Sequence, residues 1–190
     1  MYNVVLAAGS GKRFKKYKLP KPLIEVNNMP MIVNAAKSLP KKNKYIFLLK
    51  KSHTVKYPHL KTKIKKHFKN SKNIILKKKT SGQASSLYKI KNYVDKKVPF
   101  FVTSTDFAFK YNKEKLNYYL QNKKNIIFVC KPTKYMKLNY NQFGWVRHDN
   151  KFNIVNISCK KKIRGNNLND KVILGAFVFN SFNTFSLGFN

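Results

Sequence analysis

Glycines and cations directly follow the first apolar segment of the chain. Residues 4–8 read Val-Val-Leu-Ala-Ala, and Gly9, Gly11, Lys12 and Arg13 lie just beyond them. A segment that is apolar on both faces is typical of a central strand in a parallel sheet, and ligands bind at the carboxyl ends of such strands. Glycines let backbone N–H groups approach an anion closely, while lysine and arginine add charged donors. The pattern therefore predicts a phosphate-binding loop.

This loop matches neither of two common phosphate-binding motifs. A P-loop has four residues between its glycines and then Lys-Ser or Lys-Thr, whereas one residue separates Gly9 from Gly11. A dinucleotide-binding loop has a third glycine where Phe14 stands, and an acidic residue about 20 positions later that is absent from this chain. A plain glycine-rich turn is the alternative, and it accounts for the glycines but not for the paired cations.

A carboxylate and a further lysine are expected at the same edge of the sheet. Asp106 follows the apolar segment 99–104, and Lys21 lies between Pro20 and Pro22. A carboxylate beside phosphate is repulsive unless a cation lies between them, so Asp106 predicts a Mg²⁺ site. The prolines exclude an ordinary helix and favour a fixed Lys21. The alternatives are that Asp106 is a turn or N-cap residue and that Lys21 is one more surface lysine.

The elements that must position these residues alternate along the first 130 residues. Strands are predicted at 4–8, 45–49, 74–76, 99–104 and 126–130, and helices at 31–39, 59–69, 84–94 and around 116–120. This βαβα order indicates a parallel sheet with helices on both faces. The loops at residues 9–13, 82–83 and 103–106 then meet at one carboxyl edge.

The pattern changes from Gly144 onward. Strands are predicted at 144–147, 152–158 and 172–179 without helices between them, which indicates a small mixed or antiparallel extension that holds a second substrate. We predict a single domain over residues 1–190. Its nucleotide-binding half covers residues 1–130, and its second-substrate half covers residues 131–190.

Composition favours a folded, cytoplasmic protein. The chain has 190 residues, of which 43% are hydrophobic, and this is enough for a sizeable core. No segment is long and apolar enough to span a bilayer, and the N-terminus does not resemble a signal peptide. Cys130 and Cys159 lie in different predicted strands without metal-binding spacing, so we expect reduced core thiols.

The charge is strongly positive. Against 41 lysines and arginines there are six acids, which gives a formal charge of +35. Lysines occur in short clusters such as 77–79 and 160–162, and most are expected to form a solvated surface. Weak non-specific binding to nucleic acid or another polyanion is the expected by-product.

Several segments together resemble the sugar-phosphate nucleotidyltransferases, which have a Rossmann-like α/β domain of glycosyltransferase-A type. LAAGSGKRF and KLPKPLIEVNNMPMI resemble the family's N-terminal signature, TSGQASSL its nucleotide-contacting segment, and PFFVTSTDF the strand that ends in its magnesium aspartate. FGWVRHDNKFNIVNISCKK and VILGAFVF are similar to its sugar-side strands. The order of these segments resembles the subset associated with capsule and surface-polysaccharide precursors.

The resemblance implies a reaction between a nucleoside triphosphate and a sugar-1-phosphate or a similar phosphorylated alcohol. The acceptor oxygen attacks the α-phosphorus, pyrophosphate leaves and a nucleotide sugar forms. The implied catalytic residues are Arg13, Lys21 and Asp106, with Asp106 binding the cofactor Mg²⁺. The implied nucleotide-binding residues are Leu6, Ala7, Ala8, Gly9, Gly11, Lys12, Arg13 and Gly82. The implied substrate-binding residues are Gly144, Lys160, which would hold the sugar phosphate, and Gly175.

The chain departs from the family's pattern at three places. Residues 76–79 lack the glutamine that family members often place before the nucleotide-contacting glycine. Cys159 stands where the family has a sugar-contacting glutamate, and the family continues beyond the VILGAFVF strand into a segment with a second acidic metal ligand, which Asp170 does not match. We therefore expect a C-terminally truncated chain. Two alternatives stay open: a catalytically weak or truncated domain that binds nucleotide or polyanion, and a nucleotidyltransferase of the molybdenum-cofactor or isoprenoid type.

Overall fold

The structure, a computed structural model, describes residues 1–9, 11, 14, 16–165 and 170–189. Two units are distinguished within it. Unit 1 consists of Met1–Ile126 and Phe177–Asn190, and unit 2 consists of Ile127–Ala176.

Parallel strands form the centre of unit 1. Strands β1 (Tyr2–Ala7), β4 (Lys44–Lys50), β5 (Lys72–Leu76) and β6 (Phe100–Ser104) are parallel in the order β5-β4-β1-β6. The last three residues of β10 (Asp170–Phe179) add an antiparallel strand beside β6. Most residues of β1 and β4 are buried, as the unbroken apolar runs predict for strands covered on both faces. Because β1 has a parallel neighbour on each side, its carboxyl end lies between the carboxyl ends of β4 and β6.

Helices connect these strands. They are α1 (Met31–Lys37), α2 (Lys51–Lys56), α3 (His59–His67), α4 (Gln83–Tyr88), α5 (Lys113–Gln121) and, after β10, α7 (Phe182–Leu187). A separate antiparallel pair is formed by β2 (Glu25–Val26) and β3 (Met29–Pro30).

Helix α4 is shorter than predicted. It ends at Tyr88, after which the N–H groups of Lys89 and Ile90 bond to carbonyls three residues back. Ile90 is fully buried in the core although it lies outside the helix. The apolar spacing predicts a helix through Val94, but the residues after Tyr88 form turns instead.

Aromatic packing joins α7 to the sheet of unit 1. The ring of the fully buried Phe100 lies 5.3 Å from that of Phe179 and 6.2 Å from those of Phe182 and Phe185, measured between centroids. Ser181 caps α7, since its hydroxyl accepts from the N–H of Thr184. Offset and edge-on aromatic pairs of this kind stabilise a core beyond the area they bury.

Unit 2 is built mainly from antiparallel strands. It contains most of β7 (Ile126–Cys130), and α6 (Lys134–Leu138), β8 (Gly144–His148), β9 (Ile154–Cys159) and the first part of β10. Strand β8 pairs antiparallel with β9 and with residues 170–172 of β10. Its small core consists of Trp145, Ile163 and Val172. Helix α6, like α2 and α7, is not predicted from the sequence.

The predicted fold class is confirmed. The described residues form a mostly parallel α/β sheet of Rossmann-like type with helices, and a small antiparallel sheet lies apart from it. None of the described helices is both long and apolar enough to cross a membrane. The prediction that both cysteines are core thiols is wrong, because Cys159 ends an exposed strand and Cys130 is half-buried; both are free.

Candidate functional site

A cleft of about 470 Å³ opens at the carboxyl edge of the parallel sheet in unit 1. It is lined by the end of β1 and the loop after it, the segment around Lys21, the β5–α4 connection and the end of β6. The predicted residues that line it are Leu6, Ala7, Ala8, Gly9, Gly11, Lys21, Gly82 and Asp106. Lys12 and Arg13, also predicted here, lie outside the described residues. The three predicted loops thus meet at one edge.

Lys21 is held in place within this cleft. It opens a short 3₁₀ helix (Lys21–Leu23) in which Pro22 and the almost fully buried Leu23 anchor the backbone. Its Nζ lies 2.6 Å from Oδ2 of Asp106, and the two side chains are 17% and 28% exposed. The ring centroid of Phe14 is 5.0 Å from the same nitrogen. Lys21 is therefore a fixed cation that faces a carboxylate, unlike an ordinary surface lysine.

Asp106 is held as a carboxylate. Burial acts to raise the pKa of Asp106, but hydrogen bonds from Lys21 and Ser104 and the positive charge of Lys21 outweigh burial, so the pKa lies below its ordinary value. The hydroxyl of Ser104 donates to Oδ1 over 2.7 Å, while Lys21 occupies Oδ2. An ionised carboxylate in a cleft is a ligand that a hard cation prefers.

Ser104 is a functional candidate that the sequence analysis missed. The signal was a hydroxyl residue two positions before the aspartate in the segment Thr-Ser-Thr-Asp. Ser104, Thr105 and Asp106 all line the cleft, but Thr105 is buried, and it is the Ser104 hydroxyl that bonds to the Asp106 carboxylate.

The loop after β1 contains a position that requires glycine. Gly11 has a φ of +60°, a conformation that L side chains rarely adopt, and a Cβ added there would lie 3.7 Å from Cβ of Lys21. An added Cβ at Gly9 would meet nothing within 4 Å, so the backbone of Gly9 is open to a ligand. Both glycines line the cleft.

The β5–α4 connection is fixed by hydroxyl groups. The side-chain oxygens of Thr80 and Ser86 lie 2.6 Å apart, and they are 3.2 and 3.1 Å from the carbonyl oxygen of Gly82. Gly82 is the N-cap of α4, with extended backbone and open space where a Cβ would be. A flat ligand such as a nucleobase can approach this backbone closely.

The described residues offer limited acidic ligands for a metal. They contain no group of three or more His, Cys, Asp and Glu side chains that could hold an ion, and Asp106 is the one acid among the described residues that line the cleft. The Asp106 carboxylate and the Ser104 hydroxyl are oxygen donors. Mg²⁺ is commonly held by one or two carboxylates together with substrate phosphates, so this donor set fits it.

The remaining predicted residues lie in unit 2. Gly144 begins β8, where an added Cβ would be 3.1 Å from Cδ1 of Ile173, and Gly175 lies in β10 with a φ of +72°. Lys160 follows β9 with a φ of +59°, its N–H donates to the carbonyl of Phe143 over 2.9 Å, and its side chain is exposed. The left-handed backbone thus gives Gly175 a structural reason to be glycine, a Cβ at Gly144 would press on the Ile173 side chain, and the Lys160 side chain is open to solvent.

Asp170 has a different partner. Its carboxylate accepts from Nε and Nη2 of Arg147 over 2.7 and 3.0 Å. This ion pair joins neighbouring positions of β8 and β10.

Comparisons with known proteins identify the family of the chain. The family model described as Nucleotidyl transferase matches residues 2–183. No curated protein sequence matches the chain significantly.

Solved structures share the fold. One, assigned as a glucose-1-phosphate thymidylyltransferase from Bacillus anthracis, has 20% identity and a TM-score of 0.75 over 98% of this chain and 73% of its own. The inositol-1-phosphate CTP transferase from T. maritima has 21% identity and a TM-score of 0.70 over 98% and 72%. A nucleoside-diphosphate-sugar pyrophosphorylase from Vibrio cholerae RC9 has 16% identity and a TM-score of 0.73 over 100% and 77%.

Proposed function

Because the chain belongs to the nucleotidyl transferase family, we propose that it transfers a nucleoside monophosphate from a nucleoside triphosphate to a sugar-1-phosphate. The enzyme class is that of a sugar-phosphate nucleotidyltransferase, and its general reaction forms a nucleotide sugar. The observation that carries the proposal is the ion pair of Lys21 with Asp106 in a cleft at the carboxyl edge of the sheet. This is where an open α/β sheet binds its ligand.

The proposed reaction forms one phosphorus–oxygen bond and breaks another. An oxygen of the sugar-1-phosphate forms a bond to the α-phosphorus, and the bond from this phosphorus to the bridging oxygen of the leaving pyrophosphate breaks. Negative charge spreads over the phosphoryl oxygens, and no covalent protein nucleophile is needed. Catalysis then rests on positioning the two substrates and on cations already directed at the reacting phosphate.

Lys21 is proposed to neutralise the charge at the reacting phosphate. Its backbone is fixed by the proline-containing 3₁₀ helix, so its ammonium needs little reorganisation when the phosphate arrives. A lysine ammonium has three N–H donors, and one carboxylate contact does not exhaust them. The ammonium can therefore contact a phosphate oxygen while it remains near Asp106.

The backbone of the β1 loop is proposed to hold the triphosphate. The exposed backbone around Gly9 and the left-handed turn at Gly11 support this role. Lys12 and Arg13 are proposed to add charged donors to the same phosphates. Gly82 and the hydroxyl-braced connection around it are proposed to contact the base.

Asp106 and Ser104 are the residues that would hold Mg²⁺. When bound there, Mg²⁺ would supply charge neutralisation at the phosphates. The low pKa of Asp106 keeps its carboxylate ionised at neutral pH, and the Ser104 hydrogen bond holds its Oδ1 in a fixed orientation.

Lys160 is proposed to bind the phosphate of the acceptor. Its ammonium is exposed, while its backbone is tied to Phe143. Gly144 and Gly175 are proposed to shape the same acceptor side through the backbone. One similar structure is named for inositol-1-phosphate, so phosphorylated alcohols belong among the acceptors to be tested.

Pyrophosphate release tests the proposal. The chain is incubated with Mg²⁺, each common nucleoside triphosphate and each of several acceptors, including glucose-1-phosphate, inositol-1-phosphate and phosphocholine. We expect release that requires both a triphosphate and an acceptor and that is lost in Asp106→Asn. Release without any acceptor would indicate hydrolysis and would contradict transfer.

Nucleotide binding, followed by the melting temperature, is the second measurement of this experiment. If no combination releases pyrophosphate, transfer by this chain is contradicted. A rise in melting temperature with a Mg-nucleotide would then favour the nucleotide-binding alternative.

A further inference from the structure

A second groove lies in unit 1, next to the cleft described above. It has a volume of about 610 Å³ and runs between the edge strand β5 and the segment that follows α4. Lys79 and Thr80 line both the groove and the cleft. We propose that this groove binds single-stranded nucleic acid, with its lysines on the phosphates and an aromatic ring on a base.

The charge of the groove is positive and unopposed. Lys77, Lys78, Lys79 and Lys89 line it, and none of its described lining residues is acidic. All four side chains are exposed, and none forms an ion pair with a carboxylate of the described residues. Lysines without acidic partners attract phosphates and release the counterions condensed on a nucleic acid.

The lysine run lies on a short segment that is fixed at both ends. Leu76 before it is buried in the core, and Thr80 after it is tied to Ser86 through their hydroxyl groups. The backbone of residues 77–79 is therefore held, although the side chains are free to adjust. Such a segment loses less conformational entropy on binding than a mobile tail would.

Aromatic rings accompany these lysines. Tyr93 is 42% exposed, and the Nζ of Lys72 lies 4.3 Å from its ring centroid. The N–H of Tyr93 donates to the carbonyl of Ile90 over 2.7 Å, and because Ile90 is fully buried, the position of Tyr93 is fixed. Tyr88, whose ring stacks on that of Phe189 at 4.7 Å, lines the same groove.

The rings decide which polyanion fits best. Inorganic polyphosphate and acidic peptides would use the lysines but have no bases to stack on Tyr93. A duplex has its bases already stacked on one another, whereas a single strand can offer base faces to a protein ring. The overall charge of +35 attracts any polyanion, but the groove adds a place where charge and an exposed ring occur together.

The charge contribution is tested by the salt dependence of binding. A fluorescent single-stranded oligonucleotide of about 12 nucleotides is titrated with the full chain without triphosphate, and affinity is measured by anisotropy over a salt series. Lys77→Ala/Lys78→Ala is compared with Lys41→Ala/Lys42→Ala, which removes the same charge from an exposed turn before β4. Removing two phosphate contacts should reduce the slope of log affinity against log salt by about 1.4 in the groove variant. The control should keep the slope of the unmodified chain.

The stacking contribution is tested by Tyr93→Ala against Tyr118→Ala. Tyr118 is 61% exposed on α5 and does not line the groove. Loss of one base–aromatic stack should weaken binding by about 5- to 150-fold in Tyr93→Ala, whereas Tyr118→Ala should change it less than about twofold.

Several outcomes would overturn the proposal. Equal losses in the groove variants and their controls would mean that only the overall charge acts. A duplex or polyphosphate that binds as tightly as the single strand and is insensitive to Tyr93→Ala would exclude base stacking. Loss of binding in Lys21→Ala, with the groove variants unaffected, would place the oligonucleotide in the cleft. Because none of these measurements requires turnover, they stand apart from the test of nucleotidyl transfer.

Discussion

The Lys21–Asp106 pair of unit 1 and the Arg147–Asp170 pair of unit 2 have nearly equal contact distances, 2.6 and 2.7 Å, but different surroundings. Arg147 donates to both oxygens of Asp170 and also to the carbonyls of Arg164 and Gly165, over 3.1 and 2.8 Å. The hydrogen-bond partners of the guanidinium all lie within unit 2, and its contact with Asp170 joins strand β8 to β10.

The Lys21 ammonium is used differently. Among the described residues it has one carboxylate partner and one aromatic ring, and it lines a cleft large enough for a ligand. A short ion pair therefore does not by itself indicate a functional site. The two pairs differ because the Lys21 ammonium still has N–H donors available to a ligand, whereas the Arg147 guanidinium already donates to a carboxylate and two carbonyls.

Asp106→Asn should produce the largest change that this comparison predicts. The amide keeps the shape of the side chain but removes the charge, so the residue no longer balances Lys21 or offers a carboxylate to a cation. We expect the rate of pyrophosphate release to fall by about 10³-fold while the far-UV circular dichroism spectrum is unchanged. A variant with near-normal rate would remove Asp106 from the mechanism.

Lys21→Ala should reduce the rate by about 10²- to 10³-fold, because one charged donor at the reacting phosphate is lost. The control is Lys63→Ala, which removes the ammonium that lies 2.9 Å from Glu25 at the surface. This control should retain the rate, since exposed ion pairs contribute little. If both variants were equally slow, overall charge rather than the position of Lys21 would govern the reaction.

Ser104→Ala should have a smaller effect, about tenfold, because Asp106 keeps its charge while the site loses one hydrogen bond and one neutral oxygen donor. We expect the Mg²⁺ concentration that gives half-maximal rate to rise, since Oδ1 is no longer oriented. The matched control is Ser38→Ala, whose hydroxyl donates to Ala35 over 2.7 Å at the end of α1. An unchanged Mg²⁺ requirement in Ser104→Ala would contradict the positioning role.

Much of the cleft could be predicted from the sequence, because the residues that line it follow strands of one parallel sheet. Parallel strands place their carboxyl ends together, so an apolar run followed by glycines and another followed by Asp106 must meet. The prolines beside Lys21 likewise predict a fixed lysine, which the 3₁₀ helix provides. The roles assigned to these residues stay predictions until activity is measured.

Other features could not be predicted, for identifiable physical reasons. In an unfolded chain the Ser104 hydroxyl can reach many acceptors. Only the folded end of β6 places it next to the Asp106 carboxylate. Helix α2 buries only Thr54, so it lacks the apolar periodicity that indicates a helix. Cys159 lies in β9, where five of the six residues are exposed, among them Ile154, Val155 and Ile157; apolar residue types of this kind predict a buried strand, so the exposure of Cys159 could not be predicted.

Asp170→Asn should leave the rate of pyrophosphate release per folded molecule within about twofold, because this pair ties strands rather than reacting groups. Its effect should appear in stability, since Arg147 loses a charged acceptor while remaining bonded to two carbonyls. We expect a lower melting temperature than that of the unmodified chain. A large loss of rate without a change in melting temperature would break the contrast between the two pairs.

Acid titration should give the smallest effect, since it concerns the protonation of one carboxylate. Burial acts to raise the pKa of Asp106, but the hydrogen bonds from Lys21 and Ser104 and the charge of Lys21 outweigh it, so the pKa in the folded chain lies below the ordinary value of about 3.8. A depressed folded pKa contributes stability that is fully present above the unfolded pKa and is lost as pH falls through the folded pKa. The difference in the free energy of unfolding between the unmodified chain and Asp106→Asn should therefore shrink below about pH 4. Urea unfolding of both proteins from pH 7 downward measures this, and a difference that stayed constant to pH 2 would contradict the depressed pKa.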